Sequence, residues 1–407
     1  MTDHPSQSPI LLDVTRLVWR AWGGVLPTGI DRTCLAYLAH YRERARAVVQ
    51  RGRFTRVLPF DPSQRLFDIV MEQGSGGSRG RLRALALLEA FAGAPRRDRT
   101  GWLYLNVGHT GLDQPGHTAW LGRSGVRPIY FVHDLIPLTH PEYCRPGEPE
   151  KHRRRMSALL HHGAGIIGYS EDTVDQLARF AELQGASPLP STLVAPLGVS
   201  GSPGERGHLQ NTEVPERPYF IMLGTIEARK NHLLILTLWA ELARRLGSAC
   251  PQLVIIGKRG WECEQVVDML ERSEAIRGHV IELPRCDDAE LAAYLRGARA
   301  LLFPSFAEGY GLPLVEALTL GTPVIASDLA VFRELAGTIP DYLSPIDGLG
   351  WTRLIENYAQ EQSPMRDAQR ARMTSWAPPS WQDHFARVDS WLERLEATPR
   401  PMSLPAG

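Results

Sequence analysis

The stretch Pro304–Ser327, PSFAEGYGLPLVEALTLGTPVIAS, decides how this chain is expected to fold. It follows the apolar run ALLF, holds two glycines and a proline in its first third, and ends in the apolar run PVIA. A strand, a pliable loop, a helix and a second strand in this order are typical of a βαβ unit in a parallel sheet. Two acids, Glu308 and Glu316, stand eight positions apart around the start of the predicted helix.

The same alternation extends along the chain in both directions. Apolar runs rich in branched and aromatic residues predict strands buried on both faces. They are PILLDV, WLYLNVG, RPIYFVHD and AGIIGYS in the first half, and YFIMLGTI, QLVIIG and HVIELP in the second. Helical spacing separates them, as in NHLLILTLWAELARRL. The pattern predicts an α/β protein with two Rossmann-like doubly wound domains facing across a cleft.

One segment, Ser200–Pro218, is rich in glycine, proline and polar residues and has no periodicity. It predicts an interdomain linker. The expected division is a first domain over 1–199, a linker over 200–218 and a second domain over 219–380. The amphipathic segment 381–398 predicts a C-terminal helix that packs back on the first domain.

The amino-acid composition limits the classes of protein to which this chain can belong. The 407 residues are 43% hydrophobic and 22% charged, as in ordinary globular proteins. Five scattered cysteines without a Cys-x-x-Cys pair indicate reduced thiols, and no apolar run reaches the roughly 20 residues that span a bilayer. With a polar N-terminus, these features predict a cytoplasmic protein. A net charge of zero argues against nucleic-acid binding, which favours a basic stripe.

The charge is unevenly distributed, since residues 1–200 hold 24 Lys and Arg against 18 Asp and Glu. Two basic segments of this half, 78–99 and 150–156, predict a peripheral contact with an anionic membrane. Arginines on ordinary solvated helices explain the same segments equally well.

Ligands of doubly wound sheets bind at the carboxyl ends of the strands, which is where the loop FAEGYG is expected. Gly309 and Gly311 permit a close approach of the backbone to a ligand, and the following helix start favours an anion such as phosphate. Pro313 suits the first position of that helix. Carboxylates beside a phosphate site are explained if they accept hydrogen bonds from sugar hydroxyls. Alternatively, Glu316 is a first-turn partner of the helix dipole and Glu308 is a solvated loop acid.

The segment EGYGLPLVEA resembles the Glu-x7-Glu motif of the retaining glycosyltransferases of family four, which have the GT-B fold. LGTIEARKNH, IGKRGW, FVHDLIPLTHPEY, GIIGYSEDTVDQL and PLGVS also resemble segments of that family. The resemblance runs over most of residues 125–337 and is weak over 1–120. The sequences HDLIPL and GTIEARKNH are most similar to those of mannosyl- and rhamnosyl-transferring members.

The resemblance implies roles for residues around a nucleotide diphosphate sugar. Lys230 is expected to neutralise the diphosphate and Glu316 to accept the ribose hydroxyls. Glu308 is expected to contact the transferred sugar. The backbone of Gly309, Tyr310, Gly311 and Leu312 is expected to hold phosphate or sugar oxygens, with help from Ser305 at the strand end.

One position departs from the family pattern. Many members have an arginine directly after the glycine that corresponds to Gly224, where this chain has Thr225. The resemblance therefore leaves open whether Arg229 or Lys258 provides the second positive charge.

In the first half, the resemblance implies that His133 reaches the transferred sugar near its reacting carbon. A histidine that is hydrogen-bonded beneath the loop is the structural alternative. Gly23 and Gly24 are interpreted as a glycine-rich loop after the first strand, where donor phosphate and acceptor meet. Gly29 is a second candidate for that loop, and a plain turn is the alternative.

The predicted reaction transfers a hexose from the nucleotide sugar to a hydroxyl of a lipid-linked or oligosaccharide acceptor, with retention of configuration. The implied setting is bacterial-type surface polysaccharide synthesis, in the cytoplasm or at the inner face of the membrane. The favoured donor is GDP-mannose, and rhamnosyl or glucosyl transfer is the alternative. No metal and no cofactor is predicted, because the sequence has no Asp-x-Asp at a strand end and no ligand spacing among its histidines.

Two interpretations of another class stay open. A non-catalytic subunit that binds a nucleotide sugar fits the substitution by Thr225, but Lys230 and Glu308 argue against it. A nucleotide-sugar epimerase can use two Rossmann-like domains, but the segment with Glu308 and Glu316 favours transfer.

Overall fold

The structure is a computed structural model that describes residues 9–24, 28–72, 82, 99–199 and 214–397. The chain separates into two compact units. The first consists of residues 1–135, 147–197 and 380–407, and the second of 136–146 and 198–379. The segment 136–146, which the sequence places in the first domain, clusters with the second unit. Most of the predicted linker, residues 200–213, lies outside the described residues.

The first unit is built around a seven-stranded sheet in the order β3-β2-β1-β4-β5-β6-β7. All neighbouring strands are parallel except β2 and β3, which form an antiparallel hairpin. The strands are β1 (Ile10–Asp13), β2 (Ala45–Arg51), β3 (Phe54–Val57), β4 (Leu103–Asn106), β5 (Arg127–Val132), β6 (Gly165–Gly168) and β7 (Ser191–Val194). The described helices of this part are α1 (Thr15–Gly23), α2 (Gly29–Tyr41), α3 (Phe60–Met71) and α4 (Pro115–Ser124).

The second unit has a six-stranded parallel sheet in the order β10-β9-β8-β11-β12-β13. Its strands are β8 (Tyr219–Leu223), β9 (Gln252–Ile256), β10 (Val280–Leu283), β11 (Leu301–Phe303), β12 (Val324–Ser327) and β13 (Asp341–Leu343). Buried Trp239, Trp351 and Tyr358 are the largest side chains of the core on one face of this sheet.

The remaining described helices are numbered here in chain order. They are α5 (Ile136–Thr139), α6 (Glu148–His162), α7 (Glu171–Leu183), α8 (His232–Leu246), α9 (Glu264–Arg272), α10 (Asp288–Gly297), α11 (Leu312–Thr319), α12 (Ala330–Ala336), α13 (Gly348–Ala359), α14 (Pro364–Met373) and α15 (Trp381–Ala397). Short 3₁₀ turns include Pro141–Tyr143 and Ala228–Lys230.

The strands predicted from continuous apolar runs are all present. β2, β3, β7 and β13 were not predicted, because their sequences ARAVVQR, FTRV, STLV and DYL are polar or very short. Three of these four, β3, β7 and β13, lie at an edge of their sheet. An edge strand has a neighbouring strand on one side only and does not need a continuous apolar sequence. Pro313 occupies the second position of α11 rather than the first, since the helix begins at Leu312.

The C-terminal helix α15 packs on α2 of the same unit. The ring of Phe385 stacks on His40 with centroids 3.9 Å apart, and Asp389 accepts hydrogen bonds from His40 Nε2 and the Tyr41 hydroxyl, both at 2.8 Å. Buried His384 lies 2.9 Å from the Tyr37 hydroxyl through its Nε2. An aromatic face with a few polar ties therefore fixes this helix against the first sheet's helical layer.

Among the described residues, every helix is too short or too polar to cross a membrane. The five cysteines, all of which are described, are free thiols.

Candidate functional site

The order of the second sheet brings two loops together. β8 and β11 are neighbours, although about 80 residues separate them in sequence. Gly224–Lys230 follows the carboxyl end of β8, and Pro304–Gly311 follows the carboxyl end of β11. In parallel sheets this edge is where ligands bind, because loops and helix N-termini meet there.

A cluster of charged side chains occupies this edge. Lys230 Nζ lies 2.5 Å from Glu308 Oε1, and Arg229 Nη1 lies 3.0 Å from Glu308 Oε2. The Ser305 hydroxyl donates to Glu308 Oε1 at 2.7 Å. The side chains of Lys230 and Glu308 are only 10% and 7% exposed. We call these four residues the Glu308 cluster.

Burial and charge compete in setting the pKa values of this cluster. Burial by itself raises the pKa of Glu308, but the two cations Arg229 and Lys230 outweigh it and lower that pKa to about 2. Lys230 has a lowered pKa because burial and the neighbouring Arg229 exceed the effect of its partner Glu308. The carboxylate is therefore firmly ionised, because two cations lie against its two oxygens.

Two contacts that sequence reasoning missed connect the loops. The amide of Phe306 donates to the carbonyl of Arg229 at 2.8 Å. Asn231, which is buried and in the left-handed region with φ 59°, donates through Nδ2 to the carbonyls of Pro304 and Pro345 at 3.2 and 2.7 Å. The signals in the sequence are the family-like segment LGTIEARKNH, which contains Asn231, and the residue type, since asparagine tolerates a left-handed backbone better than most residues.

The start of α11 lies beside the cluster. Gly311 is its N-cap with φ 101°, and a Cβ atom there would lie 2.6 Å from Cε1 of Phe332. Tyr310 is buried, Gly309 and Leu312 are half-buried, and Glu316 is half-buried one turn into the helix. Pro313 has no N–H, and the amide of Leu314 donates to the carbonyl of Gly311 at 2.9 Å. What this start offers an anion is therefore mainly the positive end of the helix dipole.

Two predicted positions lie elsewhere on the same edge. Lys258 follows β9, its side chain is exposed, and its carbonyl accepts from the amide of Ile226 at 2.8 Å. Thr225 is exposed as well. Arg229 is therefore the residue that joins Lys230 at Glu308, and Lys258 is not part of the cluster.

His133 lies in the first unit, at the carboxyl end of β5. It is 3% exposed, and its Nε2 donates to the carbonyl of Val107 at 2.6 Å. Burial lowers its pKa to about 4, although the bond to Val107 and the charge of Asp134 oppose this. His133 is thus hydrogen-bonded beneath the loop through one nitrogen, as the structural alternative expects, and its Nδ1 is not used by that bond.

The prediction that Gly23 and Gly24 form a loop directly after the first strand is wrong, because a helix lies between them and that strand. β1 ends at Asp13 and α1 begins at Thr15, so Gly23 is the last residue of α1. Gly24 ends that helix with φ 64°. Gly29 is the first residue of α2, whose N-cap is Thr28. The residues WRAW before the two glycines continue the helix, and Gly24 ends it in a left-handed conformation.

Within the described residues, no group of three or more His, Cys, Asp and Glu is placed to hold a metal ion. Asp287 is the N-cap of α10 and accepts from the amide of Glu290 at 2.8 Å. The basic segment 78–99 lies almost wholly outside the described residues, whereas 150–156 forms part of α6.

Part of the second unit matches a known protein family. Residues 206–338 match the family described as glycosyl transferases group 1, and this range contains the whole Glu308 cluster and Glu316. Over these residues the chain is similar to group 1 glycosyl transferases. This family match confirms the predicted resemblance to family-four glycosyltransferases.

Two relatives of this chain come from Escherichia coli. The serotype-specific mannosyltransferase WbdA is 31% identical over 224 residues, which are 52% of this chain and 27% of that protein. The O-antigen chain mannosyltransferase B is 26% identical over 261 residues, 61% of this chain and 67% of that protein. The chain therefore spans about a quarter of the length of the WbdA relative.

The fold also has solved counterparts. Sucrose-phosphate synthase from Thermosynechococcus elongatus matches 96% of this chain and all of its own, with a TM-score of 0.63 and 14% identity. This likeness concerns the fold alone. The predicted GT-B fold class, an α/β chain with two Rossmann-like domains, is confirmed.

Proposed function

We propose that this chain is a retaining hexosyltransferase of surface polysaccharide synthesis. It transfers a sugar, in the first instance mannose from GDP-mannose, to a hydroxyl of a lipid-linked or oligosaccharide acceptor. The observation that carries the proposal is the Glu308 cluster beside the N-terminus of α11. Two cations, buried Lys230 and half-buried Arg229, lie at one strand edge beside the positive end of a helix dipole, and these are groups that suit a diphosphate.

In the proposed binding mode the diphosphate lies between Lys230 and the start of α11. Lys230 is a compact charge that suits a phosphate oxygen, and Arg229 is the second cation in place of the arginine absent at Thr225. Glu316 accepts the ribose hydroxyls, and Glu308 accepts a hydroxyl of the transferred sugar. Ser305 acts through Glu308, because its hydroxyl bonds the carboxylate oxygen that also contacts Lys230.

The proposed reaction breaks the bond between the anomeric carbon and the β-phosphate oxygen. The acceptor oxygen forms the new bond on the same face, and its proton passes to the departing phosphate. Negative charge grows on the diphosphate as the bond breaks, so Lys230 and Arg229 stabilise the transition state more than the ground state. One well-placed donor of this kind contributes about 2.7–4 kcal/mol.

The choice of mannose rests on the relatives, two of which are described as mannosyltransferases. Rhamnosyl and glucosyl transfer are the alternatives within the same reaction class. A non-catalytic subunit and a nucleotide-sugar epimerase are the alternatives outside it. The Glu308 cluster favours transfer over both, because it concentrates positive charge where a leaving diphosphate develops negative charge.

We place the enzyme at the cytoplasmic face of an anionic membrane. Trp19 and Trp22 are 42% and 36% exposed on α1, and the guanidinium carbon of Arg51 lies 6.0 Å from the centroid of the Trp19 ring. Tryptophan beside arginine is typical of surfaces that rest at a lipid interface. Sedimentation with anionic and neutral vesicles tests this, and equal binding to both by wild type and Trp19→Ala would contradict it.

The donor is tested by thermal shift and calorimetry without metal. GDP-mannose, dTDP-rhamnose, UDP-glucose and UDP-N-acetylglucosamine are compared on wild type and Glu316→Ala. We expect GDP-mannose to raise the Tm of wild type and to lose most of this effect in the variant. Mass spectrometry of a synthetic mannoside acceptor then measures transfer. Binding of a nucleotide sugar without transfer to any acceptor would favour the non-catalytic alternative.

A further inference from the structure

A second histidine lies against His133 and has not been assigned a role. His109 follows β4, and its ring centroid is 4.9 Å from that of His133 at an interplanar angle of 60°. It is 8% exposed and has φ 55°, in the left-handed region that residues with a Cβ rarely adopt. Backbone strain of this kind costs about 1–3 kcal/mol and persists where surrounding contacts compensate for it.

Each histidine is hydrogen-bonded to a backbone carbonyl in or just after the strand that precedes the other histidine. His133, after β5, donates through Nε2 to the carbonyl of Val107, after β4. His109, after β4, is hydrogen-bonded to the carbonyl of Phe131 in β5. Its Nε2 is buried and has no partner, so Nδ1 makes the bond to Phe131. A third ring, His152 of α6, lies 6.1 Å from His109 and contacts the carbonyl of Asp134 through Nε2 at 3.1 Å.

These partners fix the protonation of each ring. A carbonyl oxygen only accepts hydrogen bonds, so the nitrogen that faces it must carry the proton. His133 is therefore the Nε2–H tautomer and His109 the Nδ1–H tautomer. Burial lowers the pKa of both rings, and each also lies near another histidine or an arginine, so both are neutral near pH 7. The Nδ1 of His133 and the Nε2 of His109 are left as hydrogen-bond acceptors.

We propose that His109 is a positioning residue for His133. The bond from His109 to Phe131 ties the segment after β4 to β5 and so keeps the Val107 carbonyl against Nε2 of His133. That carbonyl holds the His133 ring in one tautomer, with Nδ1 as a fixed acceptor for a substrate hydroxyl. His133 then orients a sugar by accepting a hydroxyl proton in a hydrogen bond, and does not donate a proton to the leaving group. The orientation of a sugar rests on the proposed transferase function, whereas the pairing of His109 with His133 does not.

The test uses two substitutions that both accept the left-handed backbone of residue 109. His109→Asn retains an N–H donor near the place of Nδ1, whereas His109→Gly removes the donor and the ring. The full-length protein is labelled with ¹⁵N-histidine, and long-range proton–nitrogen correlation spectra at pH 7.5 report the tautomer of His133. The His133 signals are assigned by their loss in His133→Gln.

We expect wild type and His109→Asn to show His133 as the Nε2–H tautomer, and His109→Gly to show averaged tautomers. In transfer assays we expect kcat of His109→Gly to fall about 10- to 100-fold with little change in KM for the donor, since misplacement of a positioned group affects the reacting geometry. His109→Asn is expected to recover most of this loss. Circular dichroism confirms that both variants fold.

An unchanged His133 tautomer in His109→Gly would overturn the proposal. The spectra need no donor, so they separate this outcome from failure of the transferase proposal. If the tautomer changes as expected but no nucleotide sugar binds to wild type, the pairing of the histidines holds and the proposed function is wrong.

Discussion

The ammonium of Lys230 lies 2.5 Å from a carboxylate oxygen of Glu308, in a pair whose side chains are 10% and 7% exposed. Seventy-eight positions separate the two residues in sequence. Because Arg229 contacts the other carboxylate oxygen at 3.0 Å, one acid holds two cations at the edge of the sheet. The five predictions below concern this cluster or the helix beside it.

Replacement of Lys230 by methionine tests the diphosphate role. The substitution keeps the length of the side chain and removes the charge, so we expect kcat/KM for the nucleotide sugar to fall about 100- to 1000-fold. Lys258→Met is the matched control, because that lysine is exposed after the neighbouring strand β9. Its kcat/KM is expected to stay within about threefold of wild type, since an exposed charge contributes little. Equal losses in the two variants would contradict the assignment.

Glu308→Gln is expected to destabilise the fold. It preserves the size of the side chain but leaves Arg229 and Lys230 without their shared anion, and loss of one partner from a buried pair costs about 3–5 kcal/mol. Chemical denaturation monitored by fluorescence measures the free energy of unfolding. A variant as stable as wild type would show that solvent, rather than Glu308, stabilises the two cations.

The same carboxylate predicts a dependence of stability on pH. Its pKa is lowered from 4.5 to about 2, so its contribution is fully present above pH 4.5 and is lost as pH falls toward 2. The shift corresponds to roughly 3 kcal/mol. We expect the difference in unfolding free energy between wild type and Glu308→Gln to shrink across this window. A difference that stays constant from pH 7 to pH 3 would contradict the lowered pKa.

Glu316→Gln tests the hydroxyl-binding role of the second acid. A carboxylate that accepts hydroxyl hydrogen bonds contributes about 1.5–3 kcal/mol, so we expect donor affinity to fall roughly 10- to 100-fold. The unfolding free energy should change little, because Glu316 is only half-buried on α11. Glu334→Gln on the exposed side of α12 is the control and is expected to bind the donor as wild type does. Calorimetry with GDP-mannose makes the comparison.

Gly311→Ala tests the turn that leads into α11. The alanine must adopt φ 101°, and its Cβ must lie 2.6 Å from the ring of Phe332. Gly321→Ala is the matched control, because Gly321 has φ 79° but no atom within 4 Å of the added Cβ. Both substitutions strain the backbone by about 1–2 kcal/mol. The collision at Gly311 adds about 1–3 kcal/mol, so its Tm should fall further than that of the control.

The sequence predicted the strands that are buried on both faces, because continuous branched and aromatic runs such as QLVII and YFIML have few other uses in a chain of this composition. It missed the internal strand β2 and the edge strands β3, β7 and β13, although it predicted the edge strand β10. β3 and β13 are short and carry polar residues, since an edge strand has one neighbour and one open side. The glycines at 23 and 24 were misplaced because a helix end and a loop use the same residue type.

Some residues of the candidate site were predicted from the sequence and others were not. The residue types of the loops after β8 and β11 and their family resemblance indicated Glu308, Ser305 and Lys230, and made Arg229 one of two candidates for the second cation. The choice between Arg229 and Lys258 needed the structure, because both are single cations near a strand end. Asn231 lies within the family-like segment LGTIEARKNH but received no role from it, and His109 carried no periodic or motif signal. Their contacts with Pro345 and Phe131 join segments that are distant in sequence.

The sequence alone therefore determined the βαβ alternation, the group 1 transferase segment and the types of residue that face a ligand, because these depend on local periodicity and on short motifs. The tertiary structure decided which of those residues meet. The strand order β10-β9-β8-β11-β12-β13 places β8 beside β11 and so brings Lys230 to Glu308. Each buried strand has similar apolar composition, so its neighbours are selected by packing of the whole sheet and not by its own residues.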